Sequence, residues 1–231
     1  MLHLYKKYKV KSLKLISLLL VFVSFILSAQ EIIQTPIKFT QKRIDLTKEY
    51  IKIHYEKDVQ DIKIIPRIIL VHHTAIDDYK DSYSRFESEA LPSRRKDISS
   101  LKESANVSTH FMVERDGTIH QLMPLNFMAR HVIGLNYSSI GIENVGGENS
   151  KDNLTKAQLK ANIFLVEYLK HKFTTIEYLV GHYEYRCFEG TELFLEVDAK
   201  YRTVKDDPST RFMNELRNAT TGLKTAPCSN D

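Results

Sequence analysis

Residues 67–75 read Arg-Ile-Ile-Leu-Val-His-His-Thr-Ala, a run of β-branched and leucine side chains that ends in two imidazoles. The apolar run from Ile68 to Val71 is too short for a helix, and its β-branching fits a strand buried on both faces. Such a strand delivers its last side chains to the rim of a sheet, where a metal or a substrate can be met. A histidine doublet is as readily a half-buried packing pair, so His72 and His73 acquire meaning only from partners elsewhere in the chain. Neighbours along a strand point to opposite faces, so only one of the two can face a given site.

Two more β-segments end in the same way. Ser139 to Val145 alternates apolar residues with others and carries Glu143 just before Gly146-Gly147, and Tyr178-Leu179-Val180 runs into Gly181-His182. Thr109 to Val113 and Thr118 to Leu122 flank Arg115-Asp116-Gly117, and Asp-Gly between such runs predicts a hairpin. Helical spacing of Leu46, Tyr50, Ile51, His54 and Tyr55 predicts a helix over 42–56. A second is predicted over 155–172, with Leu159, Ile163, Val166 and Leu169 on or near one face. A third covers 208–218, with Pro208 in its first turn and Phe212, Met213 and Leu216 as its buried side. The polar stretch 77–99 reads as a short helix and a loop anchored by Phe86 and Leu91, and the lead 30–40, with Pro36, as an extended arm. Together these elements predict a single α/β domain, a mixed central sheet flanked by helices.

Strands of one sheet can bring His72, Glu143 and His182 to a common rim although they lie far apart in the chain. Just before the last helix stands Lys205-Asp206-Asp207-Pro208, and Asp207 is available there as a third ligand beside two imidazoles. Two histidines and a carboxylate leave a fourth position open for water, the arrangement of a catalytic zinc site. Asp206 is the alternative carboxylate, and Cys187, five positions after His182, is the alternative third ligand, since a thiolate binds zinc as well. His54 reads as part of an amphipathic helix face, and His110 and His120 as packing or surface residues of the hairpin. His171 sits at a helix end, where a cation suits the dipole.

The formal charge of the 231-residue chain is +4. Five of its 33 Lys and Arg (Lys6, Lys7, Lys9, Lys11 and Lys14) precede residue 30, where no acidic residue lies, so the remainder carries 28 basic against 29 acidic side chains. Those lysines stand before the apolar block Leu15 to Leu27, and Leu27-Ser28-Ala29 offers a small-residue cleavage site, the layout of a signal peptide over 1–29. An uncleaved anchor is the alternative. The expected mature protein is periplasmic or secreted, without a stable membrane anchor and without the clustered positive field that a nucleic-acid partner requires. Cys187 and Cys228 allow one disulfide in an exported protein, or two free thiols. No coiled-coil period argues for an oligomer, so a monomer is expected.

The fragments Val-His-His-Thr-Ala at 71–75, Ser-Thr-His-Phe-Met-Val-Glu-Arg-Asp-Gly-Thr-Ile at 108–119, Asn-Tyr-Ser-Ser-Ile-Gly-Ile-Glu at 136–143, Gly-His at 181–182 and Lys-Asp-Asp-Pro at 205–208 occur in the order of a known family. By them the chain resembles the type 2 zinc-dependent N-acetylmuramoyl-L-alanine amidases, related to phage lysozyme-amidases and peptidoglycan recognition proteins. The resemblance runs from about Ile64 to Leu216. It implies one zinc ion per chain held by His72, His182 and Asp207, catalytic roles for Glu143 and Lys205, and a substrate contact at His131. It favours His72 over His73, and the Lys-x-Asp-Pro spacing favours Asp207 over Asp206. The implied substrate is peptidoglycan or a muropeptide, cleaved between N-acetylmuramic acid and L-alanine. A peptidoglycan-binding protein without catalysis is the alternative, and a zinc peptidase acting within the stem peptide has no support from the motif order. The implied layout is an arm and helix over 30–63 and a catalytic domain over 64–231. The 25 positions between His182 and Asp207 exceed the interval in compact family members, which marks an insertion at about 187–203, a candidate flap beside the cleft.

Overall fold

The computed structural model describes residues 30–92 and 104–228. The stretch 1–29, expected to be a signal peptide, and the end of the loop read over 77–99 lie outside the described residues. Among the described residues, no helix is long and apolar enough to cross a membrane. The strands are β1 (Ile32–Gln34), β2 (Ile68–His73), β3 (Phe111–Val113), β4 (Ile119–Gln121), β5 (Ser139–Asn144) and β6 (Tyr178–Gly181), and the α-helices are α1 (Gln41–Tyr55), α2 (Tyr79–Glu87), α3 (Lys156–Lys172) and α4 (Thr210–Ala219). The strands form one mixed sheet in the order β1-β4-β3-β5-β2-β6. β2 lies between β5 and β6, parallel to both, and only β3 and β4 pair antiparallel, as the hairpin turning at Asp116-Gly117. Gly117 has φ +91°, a conformation that a side chain would strain.

A parallel strand between parallel neighbours needs cover on both faces, and alternation along β2 supplies both. Ile69 and Val71 join Ile140, Ile142, Phe111, Val113 and Leu179 under α3 and α4. Ile68 and Leu70 face the other way, with Val180, against Val132, Ile133, Leu135, Tyr185 and Phe188. His72 continues this second row and is itself buried. Helices α3 and α4 therefore occupy the face opposite the site, while loops together with α1 and α2 build the face around it, Ser82, Arg85 and Phe86 of α2 lining the site cleft and Tyr50 of α1 a smaller one beside it.

The face that α3 buries is more polar than its apolar spacing predicts. Leu159 and Ile163 are only partly buried, whereas Gln158 and Asn162 are fully inside. Gln158 Nε2 donates to the carbonyls of Val145 and Val113, at 2.8 and 3.2 Å, and Asn162 Nδ2 donates to Asn144 Oδ1 at 2.7 Å. Gln158 thus satisfies backbone carbonyls where strands end, which an apolar side chain would leave unpaired, and Asn162 holds the Asn144 side chain, whose Nδ2 donates to His72 O at 3.0 Å. Helix α3 starts on a capping box between Thr155 and Gln158, and α4 starts at Thr210, two residues later than its sequence suggests, with Ser209 as its N-cap and Pro208 outside it.

The N-terminal lead is extended as expected, and it also pairs: β1 lies parallel to β4 on the sheet edge. Helix α1 packs Tyr50, Ile51 and Tyr55 against Met128 and Ile62. Its Arg43, also buried, donates through Nη2 to the carbonyls of Phe86, Glu87 and Ser88 at the C-terminal end of α2. The segment 187–203, expected to be an insertion, has no regular element after the 3-10 turn His182–Phe188. Cys187 and Cys228 form a disulfide, which ties the start of the insertion to the C-terminal tail. The insertion is further held by Leu195 N–H on Gly134 O (2.9 Å), Val197 N–H on His54 O (3.0 Å) and the Glu196 carboxylate on His54 Nδ1 (2.9 Å). His54 is thus a link between α1 and the insertion.

The loop from β4 to β5 is fixed by one amide. Asn136, fully buried, accepts from the N–H groups of His131 and Val132, both at 2.8 Å, and donates to Tyr55 Oη at 3.1 Å. Asn136→Ala leaves both N–H groups buried without a partner and is expected to lower unfolding free energy by at least about 2 kcal/mol. Chemical denaturation checks this, and an unchanged midpoint would show that the loop does not depend on the amide.

Candidate metal centre

Strand register sets the site. On the parallel pair β2–β5, His72 lies opposite Glu143. On the parallel pair β2–β6, Val71 lies opposite Gly181, so the next residue on each chain is His72 and His182. Glu143, His72 and His182 thus form one row across three adjacent strands, at their C-terminal ends. The returning chain joins this row where the N–H of Tyr183 donates to Asp207 O at 3.0 Å.

His72 Nδ1 and His182 Nδ1 are 2.9 Å apart, Asp207 Oδ2 is 3.0 Å from His182 Nδ1, and it is 3.3 Å from His72 Nδ1. All three residues are buried, at 1%, 6% and 8% exposure, so bulk water does not keep these atoms apart. Among the described residues, they form the one group of histidine, cysteine and acidic side chains converging closely enough to hold a metal ion. Tetrahedral nitrogen and oxygen ligands at about 2.0–2.1 Å from a zinc ion stand about 3.3 Å apart, so the spacing and the donor set both fit such an ion.

The electrostatics follow from burial of charge. Burial, then the neighbouring His182, lowers the His72 pKa to about 4, so its imidazole is neutral at neutral pH and keeps a lone pair to offer. Burial alone would push the Asp207 carboxyl up, but the His182 and His72 imidazoles hold it well below the usual range. Glu143 goes the other way: burial, then repulsion from Asp207, raises its pKa to about 8 against the opposing pull of Lys205. Its Oε2 is buried without a hydrogen-bond partner. An unpaired carboxyl oxygen beside a three-ligand cluster is costly to a fold, and the residue that carries it lines a cleft of about 500 Å³ together with His72, His182, Asp207 and Lys205.

The remaining candidates separate cleanly. Asp206 is exposed and accepts from Ser150 Oγ at 2.8 Å, away from the cluster. Cys187 is in the disulfide and is not a free thiolate. His73 lies against Gly147, where a Cβ would fall 2.4 Å from its ring. His110 is fully buried, accepting from Gly141 N–H (3.0 Å) and donating to Phe127 O (2.8 Å). His131 lines the cleft, with its Nδ1 2.9 Å from His72 Nε2. Residues that sequence reasoning passed over are Ser139, Asn136 and Gly141, which surround that imidazole. The glycine within a strand was a legible signal of close approach. Beside the main cleft lies a smaller one of about 80 Å³, bounded by Tyr201 and Thr203 at the end of the segment 187–203 and by Tyr50 and Val132.

Comparison with known proteins adds the family. The chain is 33% identical over 81 residues to an endolysin of Klebsiella phage KP32, and it spans about half (54%) of the length of that curated relative. Among solved structures, an N-acetylmuramoyl-L-alanine amidase, LysC from Clostridium intestinale, is 22% identical with a TM-score of 0.42, over 68% of this chain and 85% of that one. A selenomethionine derivative of AmpD is 19% identical with a TM-score of 0.47, over 83% of this chain and 95% of that one. The model of the type 2 family described as N-acetylmuramoyl-L-alanine amidase matches residues 62–209, more than half of the chain and a span that contains His72, Glu143, His182, Lys205 and Asp207, so the chain belongs to that family.

Proposed function

We propose that the protein is a zinc-dependent N-acetylmuramoyl-L-alanine amidase, hydrolysing the amide between N-acetylmuramic acid and the L-alanine of the stem peptide in peptidoglycan or its fragments. The observation that carries this reading is the convergence of His72 Nδ1, His182 Nδ1 and Asp207 Oδ2 within 3.3 Å, with Glu143 next in the row. His72, His182 and Asp207 would hold one zinc ion per chain. When bound, zinc supplies a Lewis acid that polarises an amide carbonyl and makes water a stronger acid.

Glu143 is the general base and then the general acid. It takes a proton from the attacking water as the water oxygen bonds to the carbonyl carbon, and it returns that proton to the alanine nitrogen as the C–N bond breaks. Burial holds this carboxyl near 8 in the metal-free protein, and a zinc ion held by His72, His182 and Asp207 beside it would favour the ionised form that takes the water's proton. Lys205, on the rim of the same cleft, offers a positive charge to the oxygen on which negative charge develops. The lysine-rich start and apolar block before residue 30 support export to the periplasm or beyond, where this substrate lies.

Mass analysis of a purified muropeptide digest tests the reaction. Free stem peptide with an L-alanine N-terminus and intact glycan are expected. Cleavage within the peptide would instead indicate a peptidase, and unaltered muropeptide that co-purifies with the protein a binder.

Glu143→Gln is expected to keep bound zinc and to lose about 10²-fold or more in turnover; near-normal turnover would remove Glu143 from the chemistry. In metal-free protein the same variant has a second consequence. A carboxyl raised from 4.5 to about 8 on folding stabilises the fold fully only below the unfolded value, and that contribution is lost as pH rises through 8. Glu143→Gln should therefore gain stability over the metal-free wild type between pH 5 and 8, by roughly 3–4 kcal/mol. Denaturant titrations at the two pH values read this, and a constant difference would contradict the burial of a charge at Glu143.

A further inference from the structure

Behind the metal-facing side of His72 runs a chain of hydrogen bonds that ends on a backbone carbonyl. His72 Nε2 is 2.9 Å from His131 Nδ1, His131 Nε2 is 3.1 Å from Ser139 Oγ, and Ser139 Oγ donates to Leu135 O at 2.8 Å. The last link sets the direction of all the others. A carbonyl only accepts, so the single hydroxyl hydrogen of Ser139 is committed to Leu135. Ser139 Oγ must then accept from His131 Nε2–H. A neutral imidazole that donates from Nε2 presents a lone pair at Nδ1, so His131 Nδ1 accepts from His72 Nε2–H. That leaves the His72 lone pair on Nδ1, the atom turned toward His182 and Asp207.

The ring of His131 has no freedom to leave this chain. It occupies the space a side chain would take on β5, since a Cβ at Gly141 would fall 2.8 Å from its Nδ1 and 2.9 Å from its Cγ. Its backbone N–H is held by Asn136 Oδ1 at 2.8 Å. The imidazole is thus wedged between a strand glycine and the ligand it serves.

We propose that His131 is a positioning residue: through the His72–His131–Ser139–Leu135 chain it locks His72 in the Nε2–H tautomer and rotamer that points Nδ1 at the metal, and Gly141 exists to admit it. The inference rests on the zinc reading above, and it moves His131 from the substrate to the support of a ligand. Partners of this kind typically tune metal affinity by about 10–100-fold.

Zinc affinity, measured by competition with a chromophoric chelator, tests the proposal independently of turnover. Wild-type protein that takes up no zinc would sink the zinc reading itself. With wild-type zinc binding established, His131→Ala should weaken zinc binding about 10–100-fold, while His131→Asn, whose Oδ1 can replace the Nδ1 acceptor, should recover most of the loss. Ser139→Ala, which leaves the ring in place but removes the directing hydroxyl, should fall between wild type and His131→Ala, and it decides the matter should His131→Ala fail to fold. Gly141→Ala should reproduce the His131→Ala defect by displacing the ring. Once saturated with zinc, the His131→Asn protein should show a nearly unchanged KM for muropeptide. Unchanged zinc affinity in folded His131→Ala or Ser139→Ala, or a raised KM in His131→Asn with zinc affinity intact, would overturn the positioning role.

Discussion

The parallel register of β2 with β5 and β6 is the constraint on which the rest depends. It sets His72 level with Glu143 on one side and one step beyond Val71–Gly181, hence level with His182, on the other. A slip of one residue in either pairing would turn one member of the row to the opposite face, among the apolar side chains under α3 and α4. The alternation that buries Ile68 and Leu70 on the site face and Ile69 and Val71 on the helix face therefore specifies the register and the site at once. Function here is written into the same two-sided pattern that makes the sheet stable.

Such a row is expensive to build. It buries two imidazoles and two carboxyl groups beside one another, and their shifted pKa values record the cost: His72 is pushed down, Glu143 is pushed up, and Asp207 is kept ionised by its imidazole neighbours. The surroundings offset part of that cost by satisfying backbone groups at the strand and helix ends. Asn136, Gln158 and Asn162 are buried amides spent on backbone groups and on one another's neighbours, and Arg43 closes the end of α2. Among the buried side-chain atoms left without a partner, Oε2 of Glu143 is the one that belongs to the row itself.

Much of this was legible in the sequence, for identifiable reasons. Strand endings at His72, Glu143 and Gly181-His182 can be read because short apolar runs and glycine punctuation mark where strands stop. The hairpin at Asp116-Gly117 follows from its turn chemistry. Other features depend on contacts between distant segments. Asp206 and Asp207 are adjacent and chemically alike, and only the path of the chain past Tyr183 turns one inward and the other toward Ser150. His131 sits in a loop whose sequence gives its neighbourhood but not its ring direction, so its bond to His72 could not be foreseen. On α3 the apolar spacing identifies Val166 and Leu169 as buried but not Gln158 and Asn162, because hydrophobic spacing counts only apolar burial. The pairing of β1 onto β4 and the link from His54 to Glu196 join residues 87 and 142 positions apart, beyond the reach of any local pattern.

The central claim is that two imidazoles and the Asp207 carboxylate, with no sulfur, make a zinc site. X-ray absorption at the zinc edge of purified, zinc-loaded protein tests it most directly. The account predicts about one zinc per chain in a shell of nitrogen and oxygen only, at about 2.0–2.1 Å. Failure to retain stoichiometric zinc, or a sulfur scatterer at about 2.3 Å, would contradict it.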